Sequence, residues 1–191
     1  MTTRTTDVVD ILTIDHREAL DLIGEIRSGG SAQQQRDLAD VLIAELVRHS
    51  VAEETVVYPV MRRTLPDGDS AVEHDLKEHA ELEHLLSDLA AADPAEGSFV
   101  TCVEELQSQL EHHIEDEESG QFPALRENVA DDELRQMADG VEAIKAVAPT
   151  RPHPDAPDNP LFHLTVGPGV GMVDRLRDAL SGRTTNPDDL T

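Results

Sequence analysis

Two His-x-x-x-Glu pairs are the residues of this sequence best suited to chemistry. The first pair is His49 and Glu53, and the second is His113 and Glu117. Residues four apart on an α-helix point within about 40° of each other, so each pair can present a ring nitrogen and a carboxylate oxygen to one metal ion. A single pair of this kind is usually a solvated ion pair. The recurrence of the pair is what favours a metal site.

The two pairs belong to an internal duplication. Residues 49–62 and 113–126 share a histidine, two consecutive glutamates, an aromatic residue, a proline and an arginine at the same offsets, 64 residues apart. One further histidine lies upstream of each copy, at His16 and His79. The chain therefore repeats one plan, in which a helix with a lone histidine precedes a helix with His-x-x-x-Glu.

A pseudo-twofold arrangement of the two helix pairs would bring six potential ligands to a common centre. They are His16, His49, Glu53, His79, His113 and Glu117. Four imidazoles and two carboxylates are too many for one ion but suit two, and such a set is typical of non-haem diiron or dimanganese sites. Zinc fits less well, because it usually takes four ligands in a tetrahedron.

Four further residues could complete or support this shell. Glu54 and Glu118 each follow a motif glutamate and could be its outer partners. Glu83 lies four residues after His79, which makes it a possible extra ligand on the same helix. Tyr58 is the only tyrosine, and its ring could pack in the core or reach the metals; packing is the preferred interpretation.

The other histidines of the predicted helices have no histidine at the matching position of the other repeat. We expect them to face solvent, and they are His74, His84 and His112. His153 and His163 lie in the C-terminal segment, where a capping or surface role is expected.

Apolar residues at helical spacing predict four main helices joined by short connections. The predicted ranges are about residues 8–28, 31–64, 70–92 and 98–119, with a shorter helix over residues 131–147. Ser70 and Glu73 have the spacing of a capping box at the start of the third helix, and Pro59 should bend the second. The pattern predicts an all-α fold, an up-down-up-down four-helix bundle with a short additional helix and an extended C-terminal tail.

The composition divides the chain into a bundle over residues 1–147 and a tail over residues 148–191. Six prolines and three glycines in the first half of the tail interrupt any helix there. Residues 170–180 could form a short terminal helix, with an apolar side made of Val173, Leu176 and Leu180. Four apolar residues of the tail favour a strap docked on the bundle; they are Leu161, Phe162, Leu164 and Val166.

The charge of the chain excludes several classes of function. Forty acidic residues against 15 basic residues give a formal net charge of −25, which should repel nucleic acid and anionic membranes. No signal peptide and no membrane-spanning apolar run is apparent. The single cysteine, Cys102, excludes an internal disulfide and a thiolate cluster. The sequence therefore predicts a cytoplasmic protein without a nucleic-acid or membrane partner.

At the duplicated residues the sequence resembles the hemerythrin-like (HHE cation-binding) family, particularly its bacterial, actinobacterial members. The resemblance covers most of residues 7–147, and its elements are Asp15-His16, His49-x-x-x-Glu53-Glu54 with Tyr58-Pro59, Glu78-His79, and His113-x-x-x-Glu117-Glu118 with Phe122-Pro123. It implies a four-helix bundle with two iron ions in an oxo- or hydroxo-bridged centre, in which Glu53 and Glu117 would be the bridging carboxylates. Manganese and zinc are less expected.

One departure from the family pattern bears on function. Oxygen-carrying members have a His-x-x-x-His pair on the third helix and an aspartate on the fourth, whereas this chain has His79-x-x-x-Glu83 and Glu117. A more anionic shell should stabilise ferric iron and disfavour reversible oxygen binding. We therefore expect reaction with peroxide, oxygen or nitric oxide, with catalase-like dismutation in a response to oxidative stress as one form. The alternative is a non-catalytic iron- or oxygen-sensing module with a protein partner, and reversible oxygen carriage is least favoured.

Overall fold

The computed structural model describes residues 6–154 and 167–190, and these residues are helical without strands. The α-helices are α1 Val8–Ser28, α2 Ala32–Ala52, α3 Tyr58–Thr64, α4 Gly68–Ala91, α5 Gly97–Asp116, α6 Phe122–Asn128, α7 Asp131–Lys145 and α8 Gly167–Ser181. Two π-helical turns, Glu53–Val57 and Glu117–Gln121, join α2 to α3 and α5 to α6. A single 3₁₀ turn, Pro187–Asp189, lies near the end of the described residues.

Four long arms form the bundle, and two of them contain a π turn. Helix α1 packs against α2, α4 packs against α5, and the two pairs meet through α1 with α5 and α2 with α4. The shorter helix α7 packs across α1 and α2. The short connections make consecutive arms antiparallel, which confirms the predicted all-α four-helix bundle with an additional helix. None of the helices within the described ranges is long and apolar enough to cross a membrane.

Two of the four arms, those that begin with α1 and α2, start at side-chain caps, and the start of α4 differs from the prediction. Ser31 caps α2 in a capping box with Gln34. The capping box predicted at Ser70 and Glu73 is wrong, because α4 already begins at Gly68 and the Ser70 hydroxyl donates to the Asp67 carbonyl at 3.2 Å. The glycine permits this early start, since a Cβ there would lie 2.1 Å from the carbonyl oxygen of Met61.

Each π turn begins at a motif glutamate and ends two residues before a proline. The backbone N–H of Tyr58 donates to the carbonyl of Glu53, five residues earlier, and Phe122 repeats this bond with Glu117. A proline lacks an N–H and its ring collides with the carbonyl four residues back, so a wider turn relieves the conflict. The sequence predicts a bend at Pro59, but not that the turn would start at the motif glutamate.

The apolar core consists of two clusters separated by a polar layer. One cluster contains Ile23, Leu42 and 15 other buried residues near one end of the bundle. The other contains Met61, Leu125 and 14 further buried residues, and it includes the contacts of α7. Along all four arms, one predicted ligand histidine lies between the residues of the two clusters. We call this level of the bundle the middle layer.

The described part of the tail contacts the bundle. Arg183 Nε lies 3.2 Å from Asp40 Oδ1 of α2, and Arg48 donates from Nη1 to the carbonyl of Thr185 at 3.0 Å. The apolar residues that favour a docked strap, at positions 161, 162, 164 and 166, lie outside the described residues. The boundary between bundle and tail at residues 147 and 148 stays a prediction.

The terminal helix α8 faces the protein with acids rather than with its apolar side. Asp174 and Asp178 are buried, at 1% and 3% exposure, and Asp178 hydrogen-bonds the Thr150 hydroxyl. Residues of the predicted apolar side are exposed, by 51% for Val173 and 81% for Leu180. Helix α8 therefore contacts the protein through charge-assisted hydrogen bonds.

The close approach of α8 to the end of α7 gives a test with a matched control. A Cβ at Gly171 would lie 2.3 Å from the carbonyl oxygen of Val147, whereas a Cβ at Gly169 meets nothing within 4 Å. We expect Gly171→Ala to destabilise the docked position of α8 by about 1–3 kcal/mol, because backbone must move. Amide hydrogen exchange of α8 should become faster. Gly169→Ala should be neutral or slightly stabilising, and equal exchange in the two variants would contradict this account.

Candidate metal centre

The six sequence-predicted ligands all lie in the middle layer. The histidines come from the four arms, and they are His16, His49, His79 and His113, each exposed by 5% or less. Glu53 and Glu117 stand at the starts of the two π turns, at 0% and 1% exposure. Helical spacing and the π turns thus aim nitrogen and oxygen donors at one buried level of the bundle.

The first histidine pair faces both motif glutamates. His16 Nε2 lies 3.2 Å from Glu117 Oε2, and His49 Nε2 lies 3.2 Å from Glu53 Oε2. The two imidazole centroids are 4.9 Å apart. One donor atom from each of these four residues lies within 4.8 Å of the others. This spacing is compatible with one shared cation.

The second histidine pair faces the same two glutamates. His79 Nε2 lies 3.5 Å from Glu53 Oε2, and His113 Nε2 lies 3.6 Å from Glu117 Oε2. The Nε2 atoms of the two histidines are 3.3 Å apart. Glu53 and Glu117 therefore reach both histidine pairs, and they lie between them.

A ring of carboxylates holds the outer nitrogens of the four imidazoles. The Nδ1 contacts are His16 to Glu118 at 2.9 Å, His49 to Asp15 at 3.2 Å, His79 to Glu54 at 3.0 Å and His113 to Glu78 at 2.9 Å. A carboxylate at Nδ1 favours the tautomer with the proton on that nitrogen, which leaves Nε2 free to bind a metal.

Sequence reasoning found half of this outer ring. Glu54 and Glu118 were expected as outer partners, and they contact histidines of the opposite repeat. Asp15 and Glu78 are elements of the family resemblance, but no contact was predicted for them, although each directly precedes a predicted ligand histidine at matching positions of the duplication. The same offset that selected the histidines could have found these two acids.

Five inner atoms of the layer make no hydrogen bond of normal geometry among the described residues. They are His16 Nε2, His49 Nε2, both carboxylate oxygens of Glu53, and Glu117 Oε2. A buried polar atom without a partner costs about 1–3 kcal/mol, and a charged one costs more. Imidazole nitrogens with carboxylate oxygens are a donor set that suits iron and manganese. The residues present therefore fit metal cations, which would satisfy these atoms.

The buried charges shift one another's protonation. Burial alone would lower the pKa of His49, but Glu53 and Asp15 raise it to about 10. Burial would likewise lower the pKa of His79, yet Glu53 and Glu54 raise it well above its usual range. Burial raises the pKa of Glu53, but His49 and His79 outweigh this and hold it well below its usual range. A cation that binds the imidazoles must therefore displace protons.

The two possible additions to the ligand shell differ in position: one reaches the middle layer and the other does not. They are Tyr58 and Glu83. Tyr58 is buried in the core, and its hydroxyl also lies 3.1 Å from His79 Nε2, so it packs and reaches the layer. The structure does not bring Glu83 to the layer. Its Oε1 accepts a hydrogen bond from the backbone N–H of His153 in the tail at 2.8 Å. The tail backbone thus binds the carboxylate that the helical spacing proposed as a ligand.

Asp75 is a buried acid near the layer that the sequence did not indicate. It is 0% exposed, and its Oδ1 accepts from Gln121 Nε2 at 2.8 Å. Burial raises its pKa to about 6, and the charge of Glu117 contributes in the same direction. Its position in the first repeat is occupied by Leu12, so the duplication carried no signal for it. The other unmatched histidines, at positions 74, 84 and 112, are exposed as predicted.

Comparison with known proteins agrees with this arrangement. Residues 7–125 match the hemerythrin HHE cation binding domain. The chain is 31% identical over 176 residues to an uncharacterized hemerythrin-like protein of Schizosaccharomyces pombe, covering 92% of this chain and 87% of that protein. It is 28% identical over 140 residues to a protein of Nostoc sp. named DNA nickase, covering 73% of this chain and 39% of that protein. No solved structure matches the chain.

The raised pKa of Asp75 gives a pH-dependent test on the metal-free protein. Because the pKa rises from 3.8 to about 6 on folding, stability is lost as pH rises through this range. We expect Asp75→Asn to increase the free energy of unfolding at about pH 7.5 by up to about 3 kcal/mol, and the gain to shrink towards about pH 4.5. Urea unfolding at both pH values measures this. The exposed Asp69 provides the control Asp69→Asn, and a gain independent of pH would contradict the assignment.

Proposed function

The chain belongs to the hemerythrin HHE cation-binding family, and on this premise we propose that its middle layer binds two iron ions that react with peroxide. One observation carries the proposal. Two histidine pairs face the same two carboxylates, and inner atoms of this set make no hydrogen bonds within the described residues. A dinuclear centre would satisfy these atoms and neutralise charge that is otherwise costly to bury.

The distances support a division of the proposed ligands into two ends. His16 and His49 would hold one ion, and His79 and His113 the other. Glu53 and Glu117 would bind both ions, since each lies within 3.6 Å of one histidine in either pair. Four nitrogens and two carboxylates suit iron better than zinc, which prefers a four-ligand tetrahedron.

The residues near the layer support a reactive role rather than storage alone. Bound iron would supply a redox couple and Lewis acidity. At the His79 end, the Tyr58 hydroxyl and the Asp75 carboxyl can hold protons, and burial with nearby carboxylates raises the pKa of Tyr58 well above 10 so that it stays a neutral donor. Cleavage of a peroxide O–O bond requires protons at the departing oxygen. The matching positions of the other repeat, Phe122 and Leu12, cannot supply them.

Reversible oxygen carriage is the least favoured function. In oxygen carriers the family pattern has a fifth histidine at the position of Glu83. That carboxylate is instead bonded to the backbone of the tail. Among the residues that the structure describes, each end of the layer therefore has two histidines, without the additional imidazole of a carrier.

A sensing module is the alternative, favoured by a contact between the layer helix and the tail. Glu83 lies one turn from His79 on α4 and binds the tail backbone at His153. A change in α4 on metal binding would thus reach the tail.

The nickase activity named for the Nostoc relative is not carried over, because the chain spans 39% of that protein and its net charge of −25 opposes binding to DNA.

Metal analysis of the purified protein tests the proposed cofactor. We expect two iron ions per chain in wild type and one or none in His113→Ala, because that variant loses a nitrogen ligand from one end of the layer. The circular dichroism spectrum of His113→Ala should remain that of a helical protein. The exposed His84 provides the control His84→Ala, which should keep wild-type iron. Unchanged iron in His113→Ala would rule out this centre.

Oxygen evolution from peroxide tests the proposed reaction. At equal iron content, Tyr58→Phe and Asp75→Asn should each be slower than wild type by about 10²-fold or more, because each removes a proton donor. Free iron at the same concentration gives the background. A wild-type rate at that background would refute the peroxide reaction. If iron then altered proteolysis of the tail, the sensing alternative would gain support.

A further inference from the structure

A second group of histidines and carboxylates lies on the outer surface of α4 and α5. His74 and Glu78 are one turn apart on α4, and His112 and Asp116 are one turn apart on α5. His74 Nε2 lies 3.3 Å from both Glu78 Oε1 and Asp116 Oδ2, and His112 Nε2 lies 3.8 Å from Glu78 Oε1. One donor atom from each residue lies within 4.8 Å of the others. We call these four residues the outer cluster.

The matching acid of the first repeat indicates that a cation at the outer cluster would neutralise Glu78. Glu78 corresponds to Asp15, and each accepts a hydrogen bond from an Nδ1 of the middle layer. The second oxygen of Asp15 is neutralised by Lys145 Nζ at 2.7 Å. In the described ranges no lysine or arginine forms an ion pair with Glu78, whose second oxygen faces His74 and His112 instead. The acid of the second repeat thus faces two imidazoles, whereas the matching acid of the first repeat is paired with an ammonium group of α7.

The donor residues occur only in the repeat that lacks the ammonium group. The first-repeat positions that match His74, His112 and Asp116 are Ile11, Arg48 and Ala52. None of these three can bind a metal through its side chain. The outer cluster is therefore a feature of one repeat and not a consequence of the duplication.

We propose that the outer cluster binds a divalent transition-metal cation of the zinc type. Two imidazole nitrogens and two carboxylate oxygens provide four ligands of types that Zn²⁺ binds, and four is its usual ligand number, while magnesium and calcium prefer oxygen ligands alone. His74 and His112 are 52% and 62% exposed, so a cation can enter from solvent. The proposal goes beyond the function of the middle layer and does not depend on it.

Glu78 connects this outer cation with the middle layer. Its Oε1 faces the outer cluster, while its Oε2 accepts the hydrogen bond of His113 Nδ1 at 2.9 Å. A cation on one oxygen withdraws charge from the other, and this weakens the hydrogen bond that orients His113. The outer cation would thereby change how strongly His113 is oriented towards a metal at its end of the layer.

Zinc titration of the metal-stripped full-length protein, with a competing chromophoric chelator, tests the site. We expect wild type to bind one more Zn²⁺ per chain than His74→Gln/His112→Gln. The control His84→Gln removes another exposed histidine of α4, outside the cluster, and should keep the wild-type number. Both substituted positions are exposed, so the fold should persist, which circular dichroism checks.

The difference between variants separates this proposal from that of iron in the middle layer. All three proteins keep the six residues of the layer, so any zinc bound there cancels in the comparison. Equal zinc number and affinity in wild type and the double variant would overturn the outer site. Loss of the same equivalent in His84→Gln would also overturn it, because the zinc would then follow surface histidines in general.

Discussion

The constraint on which the structure depends is a layer of charge buried across the middle of a helical bundle. Four imidazoles and two carboxylates separate the two apolar clusters, so none of the four arms can bury a continuous apolar stripe. Uncompensated charge at such depth costs several kcal/mol per group. The groups around the layer reduce the free-energy cost of burying this charge. The outer carboxylates hold the imidazoles, the π turns aim the motif glutamates inward, and the inner atoms are suited to bind metal cations.

The acids around the layer outnumber the bases, so cations would be needed at more than one place. Two carboxylates lie inside and four lie in the outer ring, against four imidazoles that are neutral when they bind metal. Two divalent ions would balance most of this charge, and Lys145 neutralises Asp15. Glu78 has no such partner among the described lysines and arginines. A cation in the outer cluster would complete the balance at Glu78.

The duplication made the inner site predictable. The features that could not be predicted are those in which the two repeats differ or in which another segment contacts them. Matching offsets selected His79 over its neighbours, because a bundle with pseudo-twofold symmetry must present equivalent residues to its centre. Asp75 replaces a leucine of the other repeat, so no offset pointed to it. Glu83 had the right helical spacing, but the backbone of a distant segment binds it. The early start of α4 rests on the close approach of Gly68 to Met61. The contacts of Asp75 and Glu83 join segments far apart in the chain, and that of Gly68 joins two consecutive helices. Periodicity encodes neither kind of contact.

The departures from symmetry are concentrated at one end of the layer. Near His79 and His113 lie a tyrosine hydroxyl, a buried acid of raised pKa and the outer cluster. Near His16 and His49 the matching positions hold apolar residues or an arginine, and the ring of Phe122 stacks on His16 at 5.7 Å. Symmetric ligands would give two metal positions of similar affinity, whereas the Tyr58 hydroxyl, the Asp75 carboxyl and the outer cluster lie beside only one of them. Chemistry at the layer would therefore take place at the His79 and His113 end. The ion held by His16 and His49 would be its partner, shielded from the groups that carry protons to the reacting end.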